Sequence, residues 1–256
     1  MSAPFTVDMA REAGLPIKSL RGQRFISLLR GVHVRAGHPM TTLDWIRAAK
    51  LAMPDQAHLS HLSRIQALGL DIHPLHPFHF TVTGDLHLAM RGVFLHRTPR
   101  LPPTDEVGVT PTAAFIGASS WERFIDLVKT GDWLLHRGHM NLAGLVELAR
   151  HDSWRAGAPE AIKVSRMLDD RARSVRESET RILLVGAGLP PPEVNRPVFD
   201  DPNSPIGDLW YPRWRVCIEY EGGQHFTDRS QGLRDVSRYA DMRDAGIAYV
   251  QVVDEM

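Results

Sequence analysis

Apolar and polar residues alternate with different periods along this chain, and the periods predict its elements. Val7 to Ala13 has helical spacing, with Asp8 near its start and Gly14-Leu15-Pro16 behind it. Glycine supplies the closing turn and proline stops the helix continuing. Ile17 to Gly22 is expected as a second short helix, and Phe25-Ile26-Ser27-Leu28-Leu29 and Val32-His33-Val34 as strands around a tight Arg30-Gly31 turn. Helix, turn, helix and two-stranded wing is the plan of a winged helix-turn-helix, expected over residues 1–40.

From Thr42 to Leu70 the apolar positions Leu43, Ile46, Ala49, Leu51, Leu59, Leu62, Ile65 and Leu68 recur at helical spacing, broken at Met53-Pro54-Asp55. Strands are predicted at Phe78 to Thr83 and Gly92 to His96, then a proline-rich linker from Pro99 to Thr112. Helices are predicted at Thr112 to Ala118, Ser120 to Gly131, Asp132 to Gly138, Asn141 to His151 and Glu160 to Gly186. Residues 41–175 thus read as a mixed α/β middle module. In residues 176–256 a helix closes at Gly186 to Gly188. It is followed by strands at Val194 to Phe199, Ile206 to Trp210 and Trp214 to Glu221, a helix at Leu233 to Ala245 and a strand at Ala248 to Val253. Helix, three-stranded meander, helix and strand make an α/β sandwich, and the fold class expected for the whole chain is mixed α/β.

Composition narrows the class. At 256 residues, 43% hydrophobic and 23% charged, the chain is that of an ordinary globular protein with no low-complexity tract. No apolar run approaches the ~18–20 residues of a membrane helix, and the first residues lack a signal-peptide layout. A soluble cytoplasmic protein with no membrane partner is therefore expected. The single cysteine, Cys217, excludes an internal disulfide and a thiolate zinc cluster, and reads as a small buried hydrophobe.

Net charge is zero, but its distribution is uneven. Lys18, Arg21, Arg24, Arg30 and Arg35 occur with no acid between the first and the last of them, whereas from Glu177 onward fourteen acids face eight arginines and no lysine, a balance of −6. One end is suited to phosphates and the other concentrates carboxylates.

Those carboxylates have a pattern. Alternation over Trp214 to Glu221 puts Val216, Ile218 and Tyr220 on one face, and Cys217, Glu219 and Glu221 on the other. Neighbouring carboxylates repel unless a cation neutralises them. Asp208 can meet Glu219 across a hairpin pair, and Glu179 on the flanking helix can reach the same place. Such an oxygen set suits Mg²⁺ or Mn²⁺ rather than zinc, and a divalent ion supplies what phosphodiester cleavage requires. Gln224 and His225, just past the strand, are placed to orient water or touch phosphate.

The ordered string Ser178-Glu179-Thr180-Arg181, Gly188-Leu189-Pro190, Asn195, Gly207-Asp208-Leu209-Trp210-Tyr211-Pro212, Val216 to His225 and Asp235-Val-Ser-Arg238 resembles an actinobacterial endonuclease-like domain. That family is kin to the very-short-patch-repair endonucleases of the PD-(D/E)xK superfamily. The resemblance implies a metal-dependent DNA endonuclease in phage defence, mobile-element biology or repair. Glu179, Asp208 and Glu219 would then be metal ligands, and Glu221, at the superfamily's lysine position, a further ligand or general base. Ile247 stands where kin usually carry tryptophan. Phe5 to Gly37, Leu59 to Ile65 and Val109-Thr110-Pro111 resemble the amino-terminal region of AbiEi-type antitoxins. This second resemblance implies DNA binding through Lys18, Arg21, Arg24, Arg30 and Arg35. The alternative function is accordingly an antitoxin or transcriptional repressor whose nuclease-fold domain is inactive, with a cognate toxin as partner. DNA is the main expected partner, and a homodimer is a further expectation.

Other signals carry less. His73-Pro-Leu-His76-Pro-Phe-His79 has ligand-like spacing, but its prolines imply a loop, and no acid or cysteine accompanies it. His58 and His61 are expected to pack as neighbours on a helix face. Asp169, Asp170, Arg171 and Arg173 read as a solvated helix face, and Asp235 with Arg238 as either support for the site or a surface pair.

Overall fold

The computed structural model describes residues 3–86, 88–201, 204–221, 239–240 and 242–253. The fold is mixed α/β, with three separate sheets. Among the described residues no helix is long and apolar enough to cross a membrane. The chain forms two compact units, one of residues 1–121 and 144–161 and the other of residues 122–143 and 162–256. The sequence boundaries expected at 40/41 and 175/176 both fall inside these units.

The first unit opens with β1 (Phe5–Thr6), α1 (Val7–Glu12), a 3₁₀ helix (Ile17–Arg21), β2 (Phe25–Leu29) and β3 (Val32–Arg35). Thr6 caps α1 by accepting the Met9 amide, and Gly14 takes the positive φ of 73° that ends the helix. The three strands order as β1-β3-β2, all antiparallel. Phe5, Ala10 and Leu20 form a small core between them. The second predicted helix is a 3₁₀ turn, because Pro16 and Gly22 leave only five residues between breakers.

Next comes α2 (Thr42–Ala52), opened by a capping box in which Thr41 and Asp44 satisfy each other's amides. Leu43 lies on its outer face at 54% exposure, while Ile46, Ala49 and Met53 join Leu59, Phe78 and Phe80 in the core. The helical spacing expected to resume after Met53-Pro54-Asp55 gives instead β4 (His58–Leu59) and α3 (His61–Gln66), so His58 and His61 share no helix face. A sheet of order β4-β5-β6 follows from β5 (Phe78–Thr83) and β6 (Val93–Thr98), the last two parallel.

Downstream helices are α4 (Pro111–Ala118), α5 (Phe124–His136), α6 (Leu142–His151), α7 (Ala158–Ser165) and α8 (Val175–Gly186). Thr110 caps α4 with proline at its first position. The two helices expected across Ser120 to Gly138 are one, with Gly131 inside it. The long helix expected from Glu160 to Gly186 is two, because Ser174 accepts the Glu177 amide and starts α8 afresh. The charged run at Asp169 to Arg173 is therefore interhelical and not a helix face.

The second unit holds β7 (Glu193–Pro197), β8 (Ile206–Tyr211), β9 (Val216–Glu221) and β10 (Ala248–Val253), in the order β10-β9-β8-β7. β7, β8 and β9 form the expected antiparallel meander, and β10 joins β9 in parallel. Both faces of this sheet are covered. Val194, Leu209, Tyr211 and Ile218 pack on one side with Leu184 of α8. Val198, Trp210, Cys217, Met242 and Ile247 pack on the other. Cys217 is fully buried, as its sequence context predicts, and Ile247 fills core space.

Candidate functional site

The strand alternation read in β9 is present: Val216 and Ile218 face one core and Cys217 faces the other. Paired registers run Tyr211 to Val216, Trp210 to Cys217 and Leu209 to Ile218, and Asp208 is the next residue of β8 beyond the last of these pairs. At that step the pleat is irregular. Gly207 faces Cys217, because a Cβ built there would lie 2.6 Å from its Sγ. Trp210, three residues away, pairs with the same cysteine. Across β7, Asn195 has a φ of +48°. Such local irregularities re-aim side chains, and here the Asp208 carboxylate accepts the Tyr220 backbone amide at 3.2 Å. Asp208 thus sits against the Glu219–Tyr220 peptide.

Glu219 is only 5% exposed. Its Oε2 accepts from the Tyr249 hydroxyl at 3.4 Å and its Oε1 from the Cys217 thiol at 3.8 Å. Glu221 closes β9, while Gln224, His225, Asp235 and Arg238 lie outside the described residues.

Glu179 projects from α8 into two cationic partners, Arg176 at 2.8 Å and Lys129 of α5 at 3.5 Å. Arg176 in turn lies over the Tyr220 ring at 6.0 Å, and Lys129 also pairs with Asp126 at 3.2 Å. The Arg176 pairing has an i,i+3 signature legible in the sequence. Lys129 has none, being fifty positions away in the chain.

Neighbouring motif residues do structural work. Arg181 pairs with the fully buried Asp132 of α5 at 2.6 Å, and Ser178 hydrogen-bonds to the same carboxylate. Asp132 also accepts the Asp169 amide at 2.7 Å. Burial raises the Asp132 pKa above the usual carboxylate value, with Arg181 pulling against it. Asn195 donates to Glu177 at 2.6 Å and to the Arg171 carbonyl at 2.8 Å.

Asp208 and Glu219 are carboxylates on the adjacent strands β8 and β9, the kind of oxygen donor a hard divalent cation takes. Among the described residues no cluster of three or more His, Cys, Asp or Glu side chains is grouped closely enough to hold a metal.

In the first unit, Lys18 and Arg21 lie on the 3₁₀ helix, Arg24 just before β2, Arg30 in the β2–β3 turn and Arg35 at the end of β3. All five are exposed, and none has an ion-pair partner among the described residues. The spaced histidines do not converge as a triplet. His73 and His79 are buried, and His79 meets instead His96, a partner without sequence signal.

No family model matches the chain. Over 104 residues, 39% of its length, it is 31% identical to an uncharacterized protein of Mycobacterium tuberculosis found in strain H37Rv. The counterpart in strain CDC 1551 / Oshkosh matches to the same extent. The similar stretch spans 37% of each relative's own length.

Proposed function

We propose that the second unit is a metal-dependent DNA endonuclease of the PD-(D/E)xK kind, and that the exposed basic residues of the first unit contact duplex DNA as a winged helix. The observation that carries this reading is the placement of the Asp208 carboxylate on the Tyr220 amide, beside the buried Glu219. Asp208, Glu219 and Glu221 would hold Mg²⁺ or Mn²⁺, with Glu179 as a further ligand. When bound, such an ion polarises a phosphoryl group and lowers the pKa of its water.

The protein's own groups have distinct tasks. The Tyr220 amide orients Asp208, and Tyr249 and Cys217 steady Glu219 in a water-poor setting. Arg176 and Lys129 pair with Glu179 at the flank. Gln224 and His225 would orient water or phosphate. Lys18, Arg21, Arg24, Arg30 and Arg35 would supply salt-dependent backbone contacts. In this reading the protein works in the cytoplasm, where its DNA substrate lies.

The test is nicking of supercoiled plasmid by the full chain in Mn²⁺ or Mg²⁺. Metal-dependent nicking that disappears in the double variant Asp208→Ala/Glu219→Ala supports the assignment, and nicking that survives both substitutions sinks it. A second reading, a DNA-binding antitoxin or repressor without cleavage, is favoured by the ion pairs that already neutralise Glu179. It predicts no nicking, together with duplex binding that weakens with salt and is lost in Lys18→Ala/Arg21→Ala.

A further inference from the structure

The first unit contains a cavity of about 330 Å³, a size within the range of small-molecule sites. Aromatic rings form one side of it. His61 and His96 stack with centroids 3.6 Å apart and planes within 10°. His79 shares a hydrogen bond of 2.9 Å with His96 Nε2, and the Ser60 hydroxyl holds His61 Nδ1 at 2.9 Å.

His61 is constrained beyond what packing requires. Its φ of +49° lies in the left-handed region, where a non-glycine residue persists only if its surroundings enforce it. Its ring lies against Gly117 of α4, where any Cβ would come within 2.7 Å of Nε2. A strained backbone, a dedicated hydroxyl and a glycine seat together fix this one imidazole at the cavity wall.

The histidine wall of the cavity is uncharged near neutral pH. Burial first, and repulsion from neighbouring imidazoles second, hold His61 well below its ordinary pKa and His96 at about 3. Near neutral pH both rings are therefore uncharged, and each has one nitrogen engaged by a neighbour, His61 Nδ1 by Ser60 and His96 Nε2 by His79, and one other nitrogen, a donor or an acceptor according to the tautomer. Arg155 at the rim is already compensated: it pairs with Asp152 at 2.6 Å, donates to the Arg100 and Leu101 carbonyls and lies over the Trp154 ring at 4.3 Å. Arg97 is exposed and donates to the Leu86 carbonyl. The remaining wall is largely apolar, with Pro102, Val109 and Ile116 among its residues.

We propose that this cavity binds an uncharged, flat heteroaromatic ligand of the purine base or nucleoside class, stacked beside the His61–His96 pair and read by their nitrogen edges. Purines match the shape of the ring stack and carry adjacent donors and acceptors. A phosphate or carboxylate would find the rim arginine at Arg155 already engaged.

The experiment uses the full chain with adenine, guanine, adenosine and guanosine, and with ribose 5-phosphate as a charge control, followed by ligand-observed NMR and calorimetry. Saturable single-site binding of at least one purine is expected. His96→Phe keeps a ring but removes both nitrogens and should weaken binding about tenfold. Ala156→Trp, at an exposed lining position, should block the cavity with the melting temperature within a few degrees of the parent. The proposal fails if no purine saturates by ~1 mM, if binding is undiminished in Ala156→Trp, or if ribose 5-phosphate binds as well as the nucleosides. Should His96→Phe not fold, Ala156→Trp alone decides.

Discussion

The fold shifts the protonation of His61 and His96 far from its ordinary range. Both have folded-state pKa values below the ordinary 6.5, His96 at about 3. Between those values an unfolded chain binds protons that the folded chain refuses, so stability rises with pH there. Their contribution is intact above the unfolded value and is lost as pH falls below it. The melting temperature should therefore decline from about pH 6.5 to about pH 4, and His96→Phe should flatten part of that decline. Parallel pH profiles for parent and variant would contradict this account. None of it was visible in sequence: the spacing of His73, His76 and His79 drew attention to the wrong grouping, because a triplet in one segment is easy to see and a parallel strand partner at His96 is not.

At the level of elements, the decisive contact is that of α5 with α8. Asp132 and Arg181 are both buried and pair at 2.6 Å. Removing one member leaves an uncompensated charge, so Asp132→Ala should destabilise the second unit by about 3–5 kcal/mol. Replacing both, as Asp132→Leu/Arg181→Met, should recover most of that loss, because two apolar side chains need no counter-charge. Chemical denaturation of the two variants makes the comparison, and equal losses would refute it. Gly131 suggested a helix boundary that the structure lacks. Conversely, Ser174-Val175-Arg176-Glu177 carried a capping signature that marks the true start of α8 within an apparently continuous helical stretch.

For the whole molecule, division into units does not follow the order of the chain, which passes from one unit to the other after residues 121, 143 and 161. Arg181, Ser178 and Glu179 all lie within residues 176–256, yet they find partners on α5, outside that range. A fragment of residues 176–256 should accordingly show no cooperative thermal transition by circular dichroism, whereas residues 122–256, which restore α5, should melt cooperatively. A sharp transition in the shorter fragment would show that α5 is dispensable.

The sequence by itself determined the mixed α/β class, the β2–β3 hairpin, the meander of β7, β8 and β9 and the burial of Cys217. Each rests on short-range periodicity or a turn residue, which a local stretch of chain records in full. Only tertiary structure decided that Ser178 and Arg181 serve Asp132, that Lys129 faces Glu179, and that His61 and His96 stack at one cavity with His79 against them. These groups meet across separations of seventeen to about fifty residues. Periodicity says which face of an element is buried, but it does not say what lies opposite that face.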